Sequence, residues 1–180
     1  MIYFNLRKED SMNKNDYEII DNFLEKDDFD KIKKCLMGPY FDWYYNDSVI
    51  DEEENELNKY QFIHNFYRDH RLTSNYFQVI EPIILKINPI ALIRIKANLN
   101  PRTENNFEHG YHVDYENTPP NQRTGVFYLN TNDGFTLFED GTKVESVENR
   151  FVSFKTSMKH TGSTCTNQKI RVVINFNYIV

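Results

Sequence analysis

From residue 91 onward the apolar residues stop recurring at helical spacing and begin to alternate. In 91–99, Ala-Leu-Ile-Arg-Ile-Lys-Ala-Asn-Leu, an extended backbone puts Arg94, Lys96 and Asn98 on one face. Ile93, Ile95, Ala97 and Leu99 then fall on the other. Similar short runs follow at 124–129, 135–138, 143–147, 151–154 and 171–179. Turn residues separate them, including Asn130-Thr-Asn-Asp-Gly134 and Glu139-Asp-Gly141, the second with hairpin chemistry. Strands this short must close on a second sheet, so the pattern predicts a double-sheet jelly roll over residues 90–180.

Residues 1–89 read as support for that core, which makes the fold class α+β, mainly β, in a single domain spanning 1–180. Residues 1–18 are expected to form an arm or edge strand, and 17–24 a short strand leading into a turn. In 25–37, Phe29, Ile32, Cys35 and Leu36 recur at helical spacing. Asp27 and Asp28 sit at the start of that helix, Lys33 and Lys34 near its end, as the helix dipole prefers, and Gly38-Pro39 stops it. Phe41-Asp-Trp-Tyr-Tyr45 is aromatic and extended, the acidic run 51–56 reads as a solvated loop, and 60–67 as a strand. Thr73 or Ser74 can cap a second helix carrying Phe77, Ile80, Ile84 and Ile87, which Pro82 is expected to kink or split.

The net charge of −6 argues against a binder of nucleic-acid backbone, which needs a basic face. Two cysteines far apart, Cys35 and Cys165, make neither a disulfide framework nor a zinc motif and fit a reducing setting, with Cys35 a structural thiol. The first residues hold no apolar run of signal-peptide length and nothing later could span a membrane, so a cytoplasmic protein is expected. Tyr and Phe are abundant, 12 and 14, which suits a β-structure interior with polar tips aimed into a pocket.

The chemistry-bearing stretch is Tyr111-His112-Val113-Asp114-Tyr115. On an extended segment His112 and Asp114 leave the same face. His160, ahead of the last strand, is the natural third ligand, because two imidazoles and one carboxylate on one side of a metal form the facial triad of non-haem Fe(II) sites. Arg171 opens that last strand, among Val, Ile and Phe, where a guanidinium is costly unless an anion pairs with it. His64, His70 and His109 fall outside the pattern, His109 as a loop residue.

The order HxD, distant His, then Arg one strand later resembles the 2-oxoglutarate (2OG)/Fe(II)-dependent dioxygenases, whose core is a cupin-like double-stranded β-helix. More narrowly, Arg94-Ile-Lys-Ala-Asn-Leu99, Tyr128-Leu-Asn-Thr131, Phe138-Glu-Asp-Gly141, Arg171-Val-Val-Ile-Asn-Phe-Asn177 and Asp21-Asn-Phe-Leu24 resemble small phage- and bacteria-type members, distant relatives of the prolyl 4-hydroxylase catalytic domain. The resemblance implies Fe(II) held by His112, Asp114 and His160, and 2OG clamped through its C5 carboxylate by Arg171. It implies O2 as oxidant, succinate and CO2 as products, and ascorbate as an optional reductant. Within it Asn98 is the first candidate for a further 2OG contact, with Lys96 and Arg94 behind it. Tyr128 can offer its hydroxyl to the same carboxylate, and Thr136 and Asn175 can face the lumen. Prolyl 4-hydroxylases carry Lys where Arg171 stands and Gly-Gly-Glu-Thr in place of Asn132-Asp-Gly-Phe-Thr136, so the implied substrate is a peptide side chain or small metabolite rather than proline in particular. The loops 100–110 and 116–123 flank the site as candidate lids. A cupin-type metalloprotein without 2OG and a non-catalytic binding module are the alternatives; Arg171 tells against the first and the complete triad against the second.

Overall fold

The computed structural model describes residues 16–48 and 60–180. The acidic run 51–56 and the arm up to residue 15 lie outside them. The elements run β1 (Tyr17–Ile20), α1 (Lys26–Leu36), β2 (Tyr44–Asn46), β3 (Gln61–Arg68), β4 (Arg71–Leu72), α2 (Phe77–Ile87), β5 (Ala91–Pro101), β6 (Gln122–Tyr128), β7 (Phe135–Phe138), β8 (Lys143–Glu145), β9 (Arg150–Lys155), β10 (His160–Gly162) and β11 (Ile170–Ile179). One antiparallel sheet has the order β1-β9-β6-β11-β5-β3-β2, with β4 on β3. A smaller sheet, β10-β7-β8, faces it. Strands from before residue 89 hydrogen-bond directly onto the larger sheet, β3 on β5 and β1 on β9.

Alternation along these strands separates two apolar layers. Ile95, Ala97, Phe127, Phe151, Val172, Ile174 and Phe176 pack with Phe29, Ile32 and Leu36 of α1 and Ile80 and Ile83 of α2. On the opposite face Val126, Tyr128, Val152, Phe154 and Val173 meet Phe138 and Val144 of the smaller sheet. This second face is the lumen, and it is where Arg94, Lys96 and Asn98 point. A register shift between Asn177 and Tyr178 leaves Ile93 as the extra residue of β5, immediately before Arg94, as β-bulges beside functional sites do.

α1 forms as its dipole-matched charges and apolar stripe predict; Cys35 is half-buried against the core. α2 differs from expectation in two ways. It runs unbroken from Phe77 to Ile87 across Pro82. The proline's missing donor would have served the carbonyl of Gln78, which lies on the exposed side of the first turn where water can serve it. Its fully buried pair is Ile80 and Ile83, with Phe77, Ile84 and Ile87 only partly covered. Ser74 Oγ accepts the Tyr76 N–H at 2.9 Å, close to the expected cap.

His64 sits among the aromatic rings of Phe41, Phe66 and Tyr76, at 4.4, 4.8 and 5.7 Å between centroids. Its Nδ1 lies 2.7 Å from the Asp42 carbonyl, which can only accept. Nε2 must therefore accept from Ser74 Oγ, at 2.7 Å. Burial pulls the His64 pKa below its ordinary 6.5, against the smaller upward pull of Asp42. The folded protein thus keeps His64 neutral while the unfolded chain takes up a proton near pH 6.5, so its contribution to stability is complete above that pH and is lost as pH falls below it. Urea unfolding between pH 7.5 and 5 is expected to show a wild-type decline steeper than that of His64→Gln by at most about 1.4 kcal/mol per pH unit. Parallel pH profiles would contradict this.

Candidate metal centre and anion pocket

His112 and His160 are joined by a two-way backbone bridge, each N–H donating to the other's carbonyl at 3.0 Å. That bridge extends the smaller sheet beyond β10 and brings the two imidazoles together, tilted by 47° with centroids 4.7 Å apart. β10 itself is only His160-Thr161-Gly162, without an alternating pattern, and is a strand because it pairs with β7. Two residues after His112, Asp114 turns its carboxylate to the same point. One ligand atom each from His112, Asp114 and His160 lies within 4.8 Å of the others.

Each donor is oriented by a second contact. His160 Nδ1 lies 3.0 Å from the Met158 carbonyl, so it carries the proton and leaves Nε2 as the lone-pair nitrogen. His112 Nδ1 faces the Gly110 carbonyl at 3.4 Å. Burial holds the His160 pKa below the ordinary value, outweighing the upward pull of Asp114, which favours the neutral imidazole a metal needs. Asp114 Oδ2 accepts from Thr124 Oγ1 (2.9 Å) and Asn177 Nδ2 (2.8 Å), and Oδ1 from Arg94 Nη2 (3.0 Å). Burial alone would raise the Asp114 pKa; Arg94, His160, the Asn177 hydrogen bond and His112 outweigh it and hold it at about 2. A carboxylate has about four lone-pair positions, and three donors leave one on Oδ1 for a cation. Two imidazoles and this anion are the donor set that suits divalent iron with open positions beside it.

Deeper in the lumen Arg171 is buried, 3% exposed. Its Nε donates to Ser146 Oγ at 2.8 Å and its Nη2 to the Phe135 carbonyl at 3.2 Å and Thr136 Oγ1 at 3.4 Å. These partners are neutral, and among the described residues no carboxylate forms an ion pair with it. Its Nη1 faces Gly162, where an added Cβ would lie 3.7 Å away. Gly134 gives the side chain its passage: a Cβ there would come within 2.6 Å of Arg171 Cδ and 2.8 Å of the Thr164 carbonyl.

Tyr128 lies under the guanidinium, its ring centroid 5.7 Å from Cζ, and its hydroxyl donates to Thr136 Oγ1 at 2.8 Å. Asn98 is two register rows from Arg171 and so on the same face, paired with Val173 where Arg171 pairs with Asn100. Its Oδ1 is buried without a hydrogen-bond partner among the described residues.

No protein-family model matches the sequence, and no curated protein matches it significantly. Solved structures do match. A prolyl hydroxylase from Trichoplax adhaerens, in complex with a hypoxia inducible factor oxygen degradation domain peptide, superposes with a TM-score of 0.68 at 14% identity, covering 93% of this chain and 84% of its own. A 2OG-Fe(II) oxygenase family oxidoreductase from Burkholderia pseudomallei gives 0.68 at 8% identity over 92% and 86%. The viral collagen prolyl hydroxylase of Paramecium Bursaria Chlorella virus-1, as its 2OG complex, gives 0.58 at 16% over 93% and 98%. The fold is that of the 2OG-Fe(II) oxygenases.

On that double-stranded β-helix the residues singled out in the sequence come together: His112, Asp114 and His160 at the point of convergence, Arg171, Tyr128 and Asn98 further in. Arg94 does something other than expected. Instead of standing behind Asn98 as a 2OG contact, it lies at the Asp114 end of β5, with Nε also donating to Asn177 Oδ1 at 2.9 Å. The β11 register, which sets Arg94 opposite Asn177, gives it that neighbour. The sequence reading missed Thr124 and Asn177 as holders of Asp114, and Ser146 as a holder of Arg171. Asn177 was open to discovery, since it shares Arg94's face two places past Asn175. Ser146 carried no signal. His109 is a loop residue as expected, but buried, its Nε2 3.3 Å from Asn100 Nδ2 beside Arg171.

Proposed function

We propose that this protein is a 2OG- and Fe(II)-dependent dioxygenase that hydroxylates a small molecule or a peptide side chain, with 2OG and O2 consumed and succinate and CO2 released. The observation that carries the reading is Arg171, a buried guanidinium fixed by neutral partners and paired with no carboxylate among the described residues, in the same lumen as a two-histidine, one-carboxylate cluster. A desolvated cation of that kind calls for a ligand carboxylate, and its planar fork suits one. The prolyl hydroxylase neighbours add the fold, one of them crystallised with 2OG.

In this reading His112, Asp114 and His160 hold the iron, which would supply the redox chemistry that couples 2OG decarboxylation to substrate oxidation. Arg171 orients 2OG through its C5 carboxylate, backed by Tyr128 and Thr136. Asn98 could donate its Nδ2–H to 2OG, and its Oδ1, unpartnered among the described residues, could accept from a donor on the substrate. Val126, Val152, Phe154 and Phe138 keep water from that side of the lumen. Among the described residues no helix is long and apolar enough to cross a membrane; a cytoplasmic location belongs to the proposal.

Purified protein given Fe(II), 2OG and O2 is expected to form succinate slowly without a prime substrate, and to stop when iron is chelated. Succinate formation unaffected by chelation, or none from protein with iron bound and a substrate panel present, would count against the assignment.

A further inference from the structure

Three donors hold Asp114, and one of them differs in kind. Thr124 Oγ1 and Asn177 Nδ2 both donate to Oδ2, and both are neutral. The third donor is a cation. Arg94 Nη2 reaches Oδ1 at 3.0 Å, the oxygen on which a lone pair is left for a metal. A closed ring of hydrogen bonds fixes Arg94 there: its Nε donates to Asn177 Oδ1 at 2.9 Å, while the same amide's Nδ2 donates to Asp114 Oδ2 at 2.8 Å. Asn177 is fully buried, and the Tyr115 ring centroid lies 5.4 Å from Arg94 Cζ.

A cation is a costly choice for this task. The two neutral donors show that the carboxylate can be oriented without one, and withdrawing a guanidinium from water carries a desolvation cost that a third neutral donor avoids. Only 22% of the Arg94 side chain and 7% of the Asp114 side chain are exposed, so water and salt screen the pair weakly. A guanidinium is never deprotonated in a protein. Arg94 is therefore a permanent positive charge that shares one carboxylate oxygen with whatever ion the cluster takes up. Such a charge opposes every metal ion in proportion to that ion's own charge. Ferric iron, with three charges, is penalised half as much again as ferrous iron, with two. A neutral donor at the same point discriminates far less.

Resting on the iron-centre reading above, we propose that Arg94 is a positioning residue whose charge sets the valence the site prefers. It keeps Asp114 a one-oxygen ligand and biases the centre towards the divalent ion. Thr124 and Asn177 supply the orientation of the carboxylate, and Arg94 supplies the bias.

The test is a mediated redox titration of iron-loaded protein without 2OG, following the high-spin ferric signal by electron paramagnetic resonance. The midpoint compares ferric with ferrous binding in one protein, so a defect that weakens both ions alike cancels. Arg94→Gln keeps a neutral donor, and Arg94→Met keeps only the apolar stem beside Tyr115. In both, ferric iron is expected to gain about tenfold or more over ferrous, a fall in midpoint of about 59 mV or more. Arg94→Lys retains the charge without the fork and is expected to keep most of the wild-type midpoint. An unchanged midpoint in the neutral variants overturns the proposal. So does a fall in Arg94→Lys as large as in Arg94→Gln, which would assign the effect to hydrogen-bond geometry rather than charge. Wild-type protein that takes up no iron fails at an earlier step: it removes the metal centre itself, and this proposal with it.

Discussion

Arg171→Ala is expected to weaken 2OG binding by roughly 2–5 kcal/mol, the cost of truncating one partner of a buried charge-assisted pair. That is about thirty-fold to a few thousand-fold in Kd. The size follows from the surroundings. Arg171 is buried, held through Nε by Ser146 and through Nη2 by Phe135 and Thr136, so its position is fixed before any ligand arrives. Arg171→Lys is expected to recover part of the loss, as a point charge without the fork. Gly134→Ala provides an independent route to the same defect, since its Cβ would fall 2.6 Å from Arg171 Cδ with Asn132 and Thr164 closing the other sides. The three variants are to be compared with the wild type by isothermal titration with 2OG on anaerobic Fe(II) protein. An unchanged Kd in Arg171→Ala would remove the co-substrate assignment.

Asp114→Ala is expected to abolish metal binding. A divalent ion present at a hundred times its Kd adds about 2.7 kcal/mol to the folded state. For a chain of this size that raises Tm by roughly 5–10 °C. The wild type is expected to show such a rise with Co(II), and Asp114→Ala none. Asn177→Ala separates ligation from support: it removes one donor to Oδ2 but no ligand atom, so metal affinity should fall about 10–100-fold and the rise return when Co(II) is raised by the same factor. A rise in Asp114→Ala equal to that of the wild type would place the metal elsewhere.

Much of this arrangement was legible because its signals are local. Alternation in 91–99 gave the two faces of β5, and the spacing of His112 and Asp114 gave their common direction. What was not legible depends on partners distant in the chain. Arg94 meets Asp114 because β5 pairs with β11 in a register that puts Arg94 opposite Asn177, which also holds Asp114, and no local pattern records that. β10 is three residues made extended by β7, and Pro82 is tolerated in α2 because its unserved carbonyl lies on the exposed side. Both outcomes are decided by tertiary neighbours rather than by propensity.

The central claim is that iron at His112, Asp114 and His160 and 2OG at Arg171 share one lumen. The most direct test is anaerobic titration of the Fe(II) protein with 2OG, watching for a weak visible charge-transfer band. A saturable band that reaches its end at one 2OG per iron, and that in Arg171→Ala requires far more 2OG, is the predicted result. Iron bound and 2OG added with no band would contradict it.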